Sequence, residues 1–164
     1  MKKLMMLISL LVLLTTSAFA YTLKDLGVSV KNYQVLPFKQ IAINAMSKQK
    51  IERSGTLTIK KTQYMIFTYN NGETLKLQNS KAYDTIGNNT KVYPLEGFNQ
   101  VLYSLFLGKT DINSIFNIKK VNDYFVLTPK EKTNIASVEI YPNNQKLKEI
   151  KITDIYGNII IFDF

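Results

Sequence analysis

The feature that most constrains the fold is a succession of short segments rich in β-branched and aromatic residues, separated by residues that form turns. Triplets such as Asn70-Asn71-Gly72 and Gly87-Asn88-Asn89 suit the tight loops of β-hairpins. The pattern is typical of an antiparallel meander. It predicts about eleven strands, at approximately residues 35–44, 55–61, 64–70, 74–77, 82–86, 91–93, 116–121, 124–128, 136–141, 147–153 and 159–164.

Two of these strands are apolar on both faces. Residues 159–162 read Ile-Ile-Ile-Phe, and most of the segment 64–69 is equally apolar. We expect both sides of these strands to be covered, because a strand with one exposed face alternates apolar and polar residues. A sheet of this many strands tends to curl, and large barrels leave internal space that side chains alone do not fill. The expected fold is therefore mainly β with α, an incomplete antiparallel β-barrel.

One segment interrupts the strands with helical periodicity. Apolar residues recur at helical spacing between Pro94 and Gly108, at Leu95, Phe98, Val101, Leu102, Leu105 and Phe106. This spacing predicts an amphipathic helix of about three turns that ends at Gly108. Shorter helices are expected within residues 22–33, where Thr22 and Asp25 have the spacing of an N-terminal cap, and near 111–115. The long insert either covers the open face of a filled sheet or forms a lid over a cavity.

The first twenty residues have the three parts of a secretory signal peptide. Lys2 and Lys3 form a basic start, residues 4–14 are strongly apolar, and Ala18-Phe19-Ala20 fits a cleavage site. We expect residues 1–20 to be removed and residues 21–164 to form one domain. The chain has no cysteine, so we expect no lipid anchor on an N-terminal cysteine and a soluble exported product.

Positive charge remains once the signal peptide is removed. Residues 21–164 hold nineteen Lys and Arg against twelve Asp and Glu, a formal charge of +7. Surplus lysine keeps a β protein soluble and protects exposed strand edges, and it also attracts anionic lipid headgroups or an acidic protein surface. Nucleic acid is not expected as a partner, because no continuous basic run is longer than two residues.

The residue types for most catalytic chemistry are missing. The chain has no His and no Cys, which excludes hydrolytic triads, thiol nucleophiles and the commonest zinc sites. A carboxylate pair for glycoside hydrolysis is the remaining catalytic alternative, and no spacing supports it. We therefore expect no enzyme, no catalytic residue, no cofactor and no metal site. The eighteen Phe and Tyr residues after the signal peptide either fill a core or line a lipid cavity.

Four segments are similar to those of a known family. They are residues 36–40 (Leu-Pro-Phe-Lys-Gln), 54–61 (Ser-Gly-Thr-Leu-Thr-Ile-Lys-Lys), 124–130 (Tyr-Phe-Val-Leu-Thr-Pro-Lys) and 154–158 (Asp-Ile-Tyr-Gly-Asn). The third is the most specific, because a Phe-x-Leu-x-Pro-Lys string recurs in a late strand of that family. On these segments the chain resembles the LolA family of periplasmic lipoprotein carriers, over essentially all of residues 21–164.

The resemblance implies an incomplete β-barrel with a helical lid over a hydrophobic cavity. In the family this cavity holds the acyl chains of lipoproteins. The carrier takes its cargo from an inner-membrane lipoprotein-releasing ABC transporter of the LolCDE type and passes it to an outer-membrane acceptor where one is present. The resemblance thus predicts a periplasmic, monomeric carrier whose partners are acylated lipoproteins and these two membrane components.

The resemblance also assigns a lid latch to Lys61. In the family an arginine at this strand end bonds to the lid, and lysine offers a point charge where arginine offers a fork of donors. The proline that usually follows is replaced by Thr62, and an aromatic residue that bears on transporter docking is replaced by Met65. We expect a lid contact that is weaker than the family's or differently built.

The carrier hypothesis predicts which side chains face the cargo. Acyl chains are expected to contact one set of strand residues and one set of helix residues, namely Leu57, Ile59, Met65, Phe67, Tyr69, Phe98, Leu102 and Phe106. Two alternatives remain open. One is a LolA-like protein that binds a different lipid or senses lipoproteins, and the other is a structural or interaction domain whose core is filled.

Overall fold

Eleven strands and two helices make up the part of the chain that the computed structural model describes, residues 22–107 and 111–164. The predicted signal peptide and the predicted helix stop at Gly108 lie outside these ranges. In chain order the elements are β1 Tyr33–Ile43, β2 Lys50–Lys60, β3 Tyr64–Tyr69, β4 Thr74–Gln78, β5 Lys81–Ile86, β6 Asn89–Pro94, α1 Gly97–Leu107, α2 Ile112–Ile115, β7 Phe116–Val121, β8 Tyr124–Pro129, β9 Ile135–Asn143, β10 Lys146–Asp154 and β11 Ile159–Asp163.

All eleven strands belong to one antiparallel sheet, in the order β6-β5-β4-β3-β2-β1-β11-β10-β9-β8-β7. The strand β1 pairs with β2 on one side and with β11 on the other, so the first and last strands meet in the middle of the sheet. The strands β6 and β7 lie at its two edges. The predicted fold class, mainly β with an open antiparallel barrel of eleven strands and a helical lid, is confirmed.

Alternation along each strand separates an inner from an outer face of the sheet. In β2 and β3, Leu57 pairs with Phe67 and Ile59 pairs with Met65, and all four side chains are buried. The helix α1 packs on this inner face, and all seven of its residues from Val101 to Leu107 are buried. The core therefore lies between the helix and the concave side of the sheet.

The prediction that both faces of the last strand are covered is wrong. Phe162 is buried on the inner face, whereas Ile159 and Ile161 on the outer face remain partly exposed. They lie opposite Ile43 and Ile41 of β1, respectively, on the same outer face. Isoleucines on neighbouring strands shield one another from water, so a second covering layer is not required.

The predicted first helix is a series of turns. Thr22 donates from its backbone N–H and its hydroxyl to the Asp25 carboxylate, at 2.7 and 2.9 Å, but the Asp25 N–H donates to the Thr22 carbonyl rather than to its side chain, so Thr22 does not act as the predicted N-cap. No helix follows, because Gly27 adopts a left-handed φ of 74° and the Val28 N–H turns back to the Leu23 carbonyl at 2.9 Å. The turns bury Leu23 and Val28 against the core.

No helix in residues 22–107 or 111–164 has both the length and the apolar character needed to cross a membrane.

Candidate functional site

The strand residues predicted to contact cargo form the floor of the space under α1. Leu57, Ile59, Met65 and Phe67 are fully enclosed, and Tyr69 is nearly so. Burial of the Tyr69 ring raises the pKa of its hydroxyl to about 12, so this group is uncharged near neutral pH. The floor thus presents an apolar surface to the helix.

The helix residues predicted to contact cargo lie directly over this floor. Leu102 and Phe106 are buried in the same core, and Phe98 is partly buried against it. The Phe98 ring stacks on Phe162 with centroids 5.5 Å apart, and Phe106 lies 6.2 Å from Phe164. The structure therefore brings all eight predicted residues together, as a closed interior in which helix and sheet side chains contact one another.

A cavity lies at the C-terminal end of α1. Its volume is about 150 Å³, and it lies between the N-terminal turns, the second half of the helix and the end of β2. Its lining includes Leu23, Val28, Lys61, Ser104 and Phe106. Ile112 of α2 completes the lining, so four separate pieces of the chain meet here, and outward movement of α1 or of the N-terminal turns would enlarge this cavity.

A backbone hydrogen bond also attaches the end of α1 to the sheet. The Thr62 N–H donates to the Leu107 carbonyl at 3.2 Å, which ties the residue after the predicted latch to the last residue of the helix. The Lys61 N–H donates to the Asn32 carbonyl at 2.9 Å. Within the described ranges, the Lys61 side chain is exposed and makes no hydrogen bond or ion pair.

The sequence did not predict the contact of Thr62 with the helix, because a backbone hydrogen bond does not depend on the type of side chain. Sequence reasoning also missed the N-terminal turns as part of the cover over the core. The apolar spacing of Leu23, Leu26 and Val28 was the signal for this second contribution, because all three side chains are buried. The cover therefore has two parts, α1 and residues 22–30.

A second cavity lies at the N-terminal end of α1. Its volume is about 160 Å³, and its walls include the apolar side chains of Phe98, Ile152 and Ile160. Asp154 and Asn158 supply polar groups to its lining. The helix thus has a partly apolar opening at each end.

Charged groups lie around this interior rather than in it. The Arg53 guanidinium bonds the Glu73 carboxylate at 2.8 Å and lies 5.5 Å from the centre of the Tyr69 ring. Among the described residues, no three Asp or Glu side chains come close enough together to hold a metal ion. The arrangement offers an apolar contact surface, with the paired charges of Arg53 and Glu73 at its border.

Comparison with known proteins gives one family match. A family model described as outer membrane lipoprotein carrier protein LolA matches residues 30–164. No curated protein has a matching sequence.

Two solved structures are similar in outline. The crystal structure of the LolA superfamily protein NE2245 from Nitrosomonas europaea aligns over 86% of this chain and 88% of that one, with 8% identity and a TM-score of 0.47. The structure of the CwlD amidase from Clostridioides difficile in complex with the GerS lipoprotein aligns over 77% of this chain and 79% of the other, with 17% identity and a TM-score of 0.36.

Proposed function

Because this chain belongs to the LolA family of outer membrane lipoprotein carrier proteins, we propose that it shuttles acylated lipoproteins across the periplasm. In this proposal residues 21–164 form the working carrier domain. It takes cargo from a LolCDE-like ABC transporter of the inner membrane and delivers it towards the outer membrane.

The observation that carries the proposal is the apolar cover on the concave side of the sheet. All residues of α1 from Val101 to Leu107 are buried, and the hydrogen bond from Thr62 to Leu107 is the backbone link between this helix and β2–β3. A cover held mainly by apolar packing can exchange one set of apolar partners for another. Acyl chains are such partners.

The same packing explains how cargo is released. Each methylene of an acyl chain that leaves water contributes about 0.8 kcal/mol, in the carrier as in a membrane. Inside the carrier, however, cargo has to displace the contacts of Phe98, Leu102 and Phe106 with the floor. The closed interior therefore competes with the cargo, which lowers its affinity and allows transfer to an acceptor.

Lys61 has the position of a latch in this mechanism. Lys61 lines the cavity together with Leu23 from the N-terminal turns and Phe106 from α1, so it lies beside both parts of the cover. A lysine ammonium that closes this cavity from outside would be displaced when the cover opens.

Mass spectrometry of the protein isolated from the periplasm tests the proposal. We expect it to retain acylated lipoproteins. We expect Phe98→Ala to retain less cargo, because this ring is only partly buried in the closed interior and loses more contact with acyl chains than with Phe162. Tyr33→Ala, which changes an exposed ring on the outer face of β1, is the matched control and should retain the normal amount. Free lipid without lipoprotein would favour a LolA-like lipid-binding protein instead, and no lipid of any kind would favour a filled structural domain.

A further inference from the structure

Two hairpin loops lie side by side at one end of the sheet. They are residues 44–49 between β1 and β2, and residues 155–158 between β10 and β11. Ile43 pairs with Ile159, so both loops leave the sheet at the same place. The Ala45 N–H donates to the Asn158 side-chain oxygen at 2.9 Å and joins the loops directly. We call this pair of loops, with the adjoining Ile51, the paired tip.

The paired tip exposes large apolar side chains. Met46 is 94% exposed and Tyr156 is 74% exposed, the two highest values among the large hydrophobic residues described. Ile155 and Ile51 are each about half exposed. A single exposed hydrophobic residue is common, but four at one end of a molecule mark an interaction surface.

The backbone of the paired tip does not depend on water for its donors. Every N–H group of residues 44–49 and 155–158 donates to an acceptor within the chain. The Asn44 side-chain oxygen accepts from Met46 and Ser47, and Asp154 accepts from the N–H groups of Tyr156 and Asn158. Loss of water from these loops therefore leaves no backbone N–H group unpaired, which lowers the cost of burying them.

The charges beside the paired tip are mainly positive. Lys39, Lys48 and Lys50 lie on or next to the first hairpin, and Glu52 bonds two of them, Lys39 at 2.8 Å and Lys50 at 2.5 Å. The Lys48 side chain has no ion pair within the described ranges. The carboxylate of Asp154 is occupied by bonds within its own loop. The whole protein adds a surplus of positive charge.

We propose that the paired tip docks on the surface of an anionic phospholipid bilayer. Met46 and Ile155 enter the boundary between headgroups and acyl chains, Tyr156 lies at headgroup level, and Lys48 contacts phosphate groups. So few side chains give a weak and reversible attachment. The cavity at the N-terminal end of α1, which Asp154 and Asn158 help to line, then lies next to the membrane.

Tryptophan fluorescence tests this docking directly. The chain contains no Trp, so Met46→Trp in the protein from residue 21 onwards supplies one reporter at the tip. We expect its emission to shift to shorter wavelength with vesicles of phosphatidylglycerol and phosphatidylcholine. Val92→Trp, at an exposed position of β6 away from the tip, is the matched control and should not shift.

Vesicle sedimentation of chains without added Trp is the second measurement. We expect Met46→Ser/Tyr156→Ser to lower partitioning onto these vesicles about tenfold or more, because two apolar side chains are lost from the contact. Tyr33→Ser/Val92→Ser should partition like the unmodified chain. Undiminished binding of the tip variant, equal binding to pure phosphatidylcholine, or an equal shift at Val92→Trp would overturn the proposal, as would capture of a protein partner by the tip without any vesicle binding.

Discussion

At the scale of single residues, Gly55 shows how closely neighbouring strands approach in this sheet. A Cβ atom at this position would lie 2.0 Å from the Thr68 carbonyl oxygen, which belongs to the backbone of β3. Gly55 pairs with Phe38 on one side and Tyr69 on the other, and the two rings meet 5.5 Å apart. The glycine therefore lies between two aromatic neighbours at a point where no side chain fits.

Gly55→Ala should therefore destabilise the protein strongly. The strands β2 and β3 have to move apart to admit the methyl group, and we expect a loss of about 2–4 kcal/mol in the free energy of unfolding. Urea denaturation measures this loss. Thr56→Ala, whose side chain lies on the other face of the same strand, is the matched control and should cost less than about 1 kcal/mol. Similar losses in the two variants would contradict this account of Gly55.

At the scale of elements, sequence predicted which side of α1 packs on the sheet, but it did not predict the backbone hydrogen bond that holds the end of this helix. The periodicity of α1 placed Leu102 and Phe106 on the floor correctly, because local spacing determines which side of a helix is apolar. The hydrogen bond from Thr62 to Leu107 joins backbone atoms of residues that are far apart in the chain, so no residue pattern predicts it. The predicted latch, Lys61, lies one residue away from that bond.

Lys61→Leu tests whether the side chain contributes to closure. If it does, the Thr62 amide, whose hydrogen bond holds the helix end, should exchange with solvent several-fold faster, and cargo should be released sooner. Global stability should change by less than about 0.5 kcal/mol, because Lys61 is exposed and makes no ion pair within the described ranges.

Hydrogen exchange followed by NMR measures the first effect, with the Lys61 amide as an internal reference, since it donates to Asn32 rather than to the helix. Lys60→Leu is the matched control, because this exposed lysine is the neighbour of Lys61 and belongs to the outer face, opposite Tyr33. Unchanged exchange at Thr62 in Lys61→Leu would remove the lysine side chain from the closing mechanism.

At the scale of the whole molecule, sequence predicted the eleven strands and the open antiparallel barrel, but not which strands pair at its centre. Strand positions follow from local alternation and turn residues, so β3 and β7 were predicted within about one residue of their observed ends. The pairing of β1 with β11 depends on residues more than a hundred positions apart, and this pairing creates both the partly exposed isoleucines Ile41 and Ile161 and the paired tip. Non-local contacts of this kind determine which apolar side chains remain exposed on the surface.

At this scale a carrier has to open, because cargo can enter the interior only if α1 separates from the sheet. A disulfide between Thr62→Cys and Leu107→Cys would lock the existing contact, because these residues are already joined by a backbone hydrogen bond. The protein has no native cysteine that could compete for the pairing. We expect the reduced variant to bind an acylated lipoprotein and the oxidised variant not to bind it. Co-purification of the cargo measures this difference.

A second engineered disulfide is the control for effects of oxidation that do not come from locking the cover. Ser54→Cys and Asn70→Cys also replace residues joined by a backbone hydrogen bond, at 2.9 Å, but Ser54 lies in β2 and Asn70 directly follows β3, so this disulfide does not include α1. This variant should accept cargo whether oxidised or reduced. Cargo uptake by the oxidised 62–107 variant would mean that acyl chains bind without movement of α1, and the interior beneath the helix would then not be the cargo site.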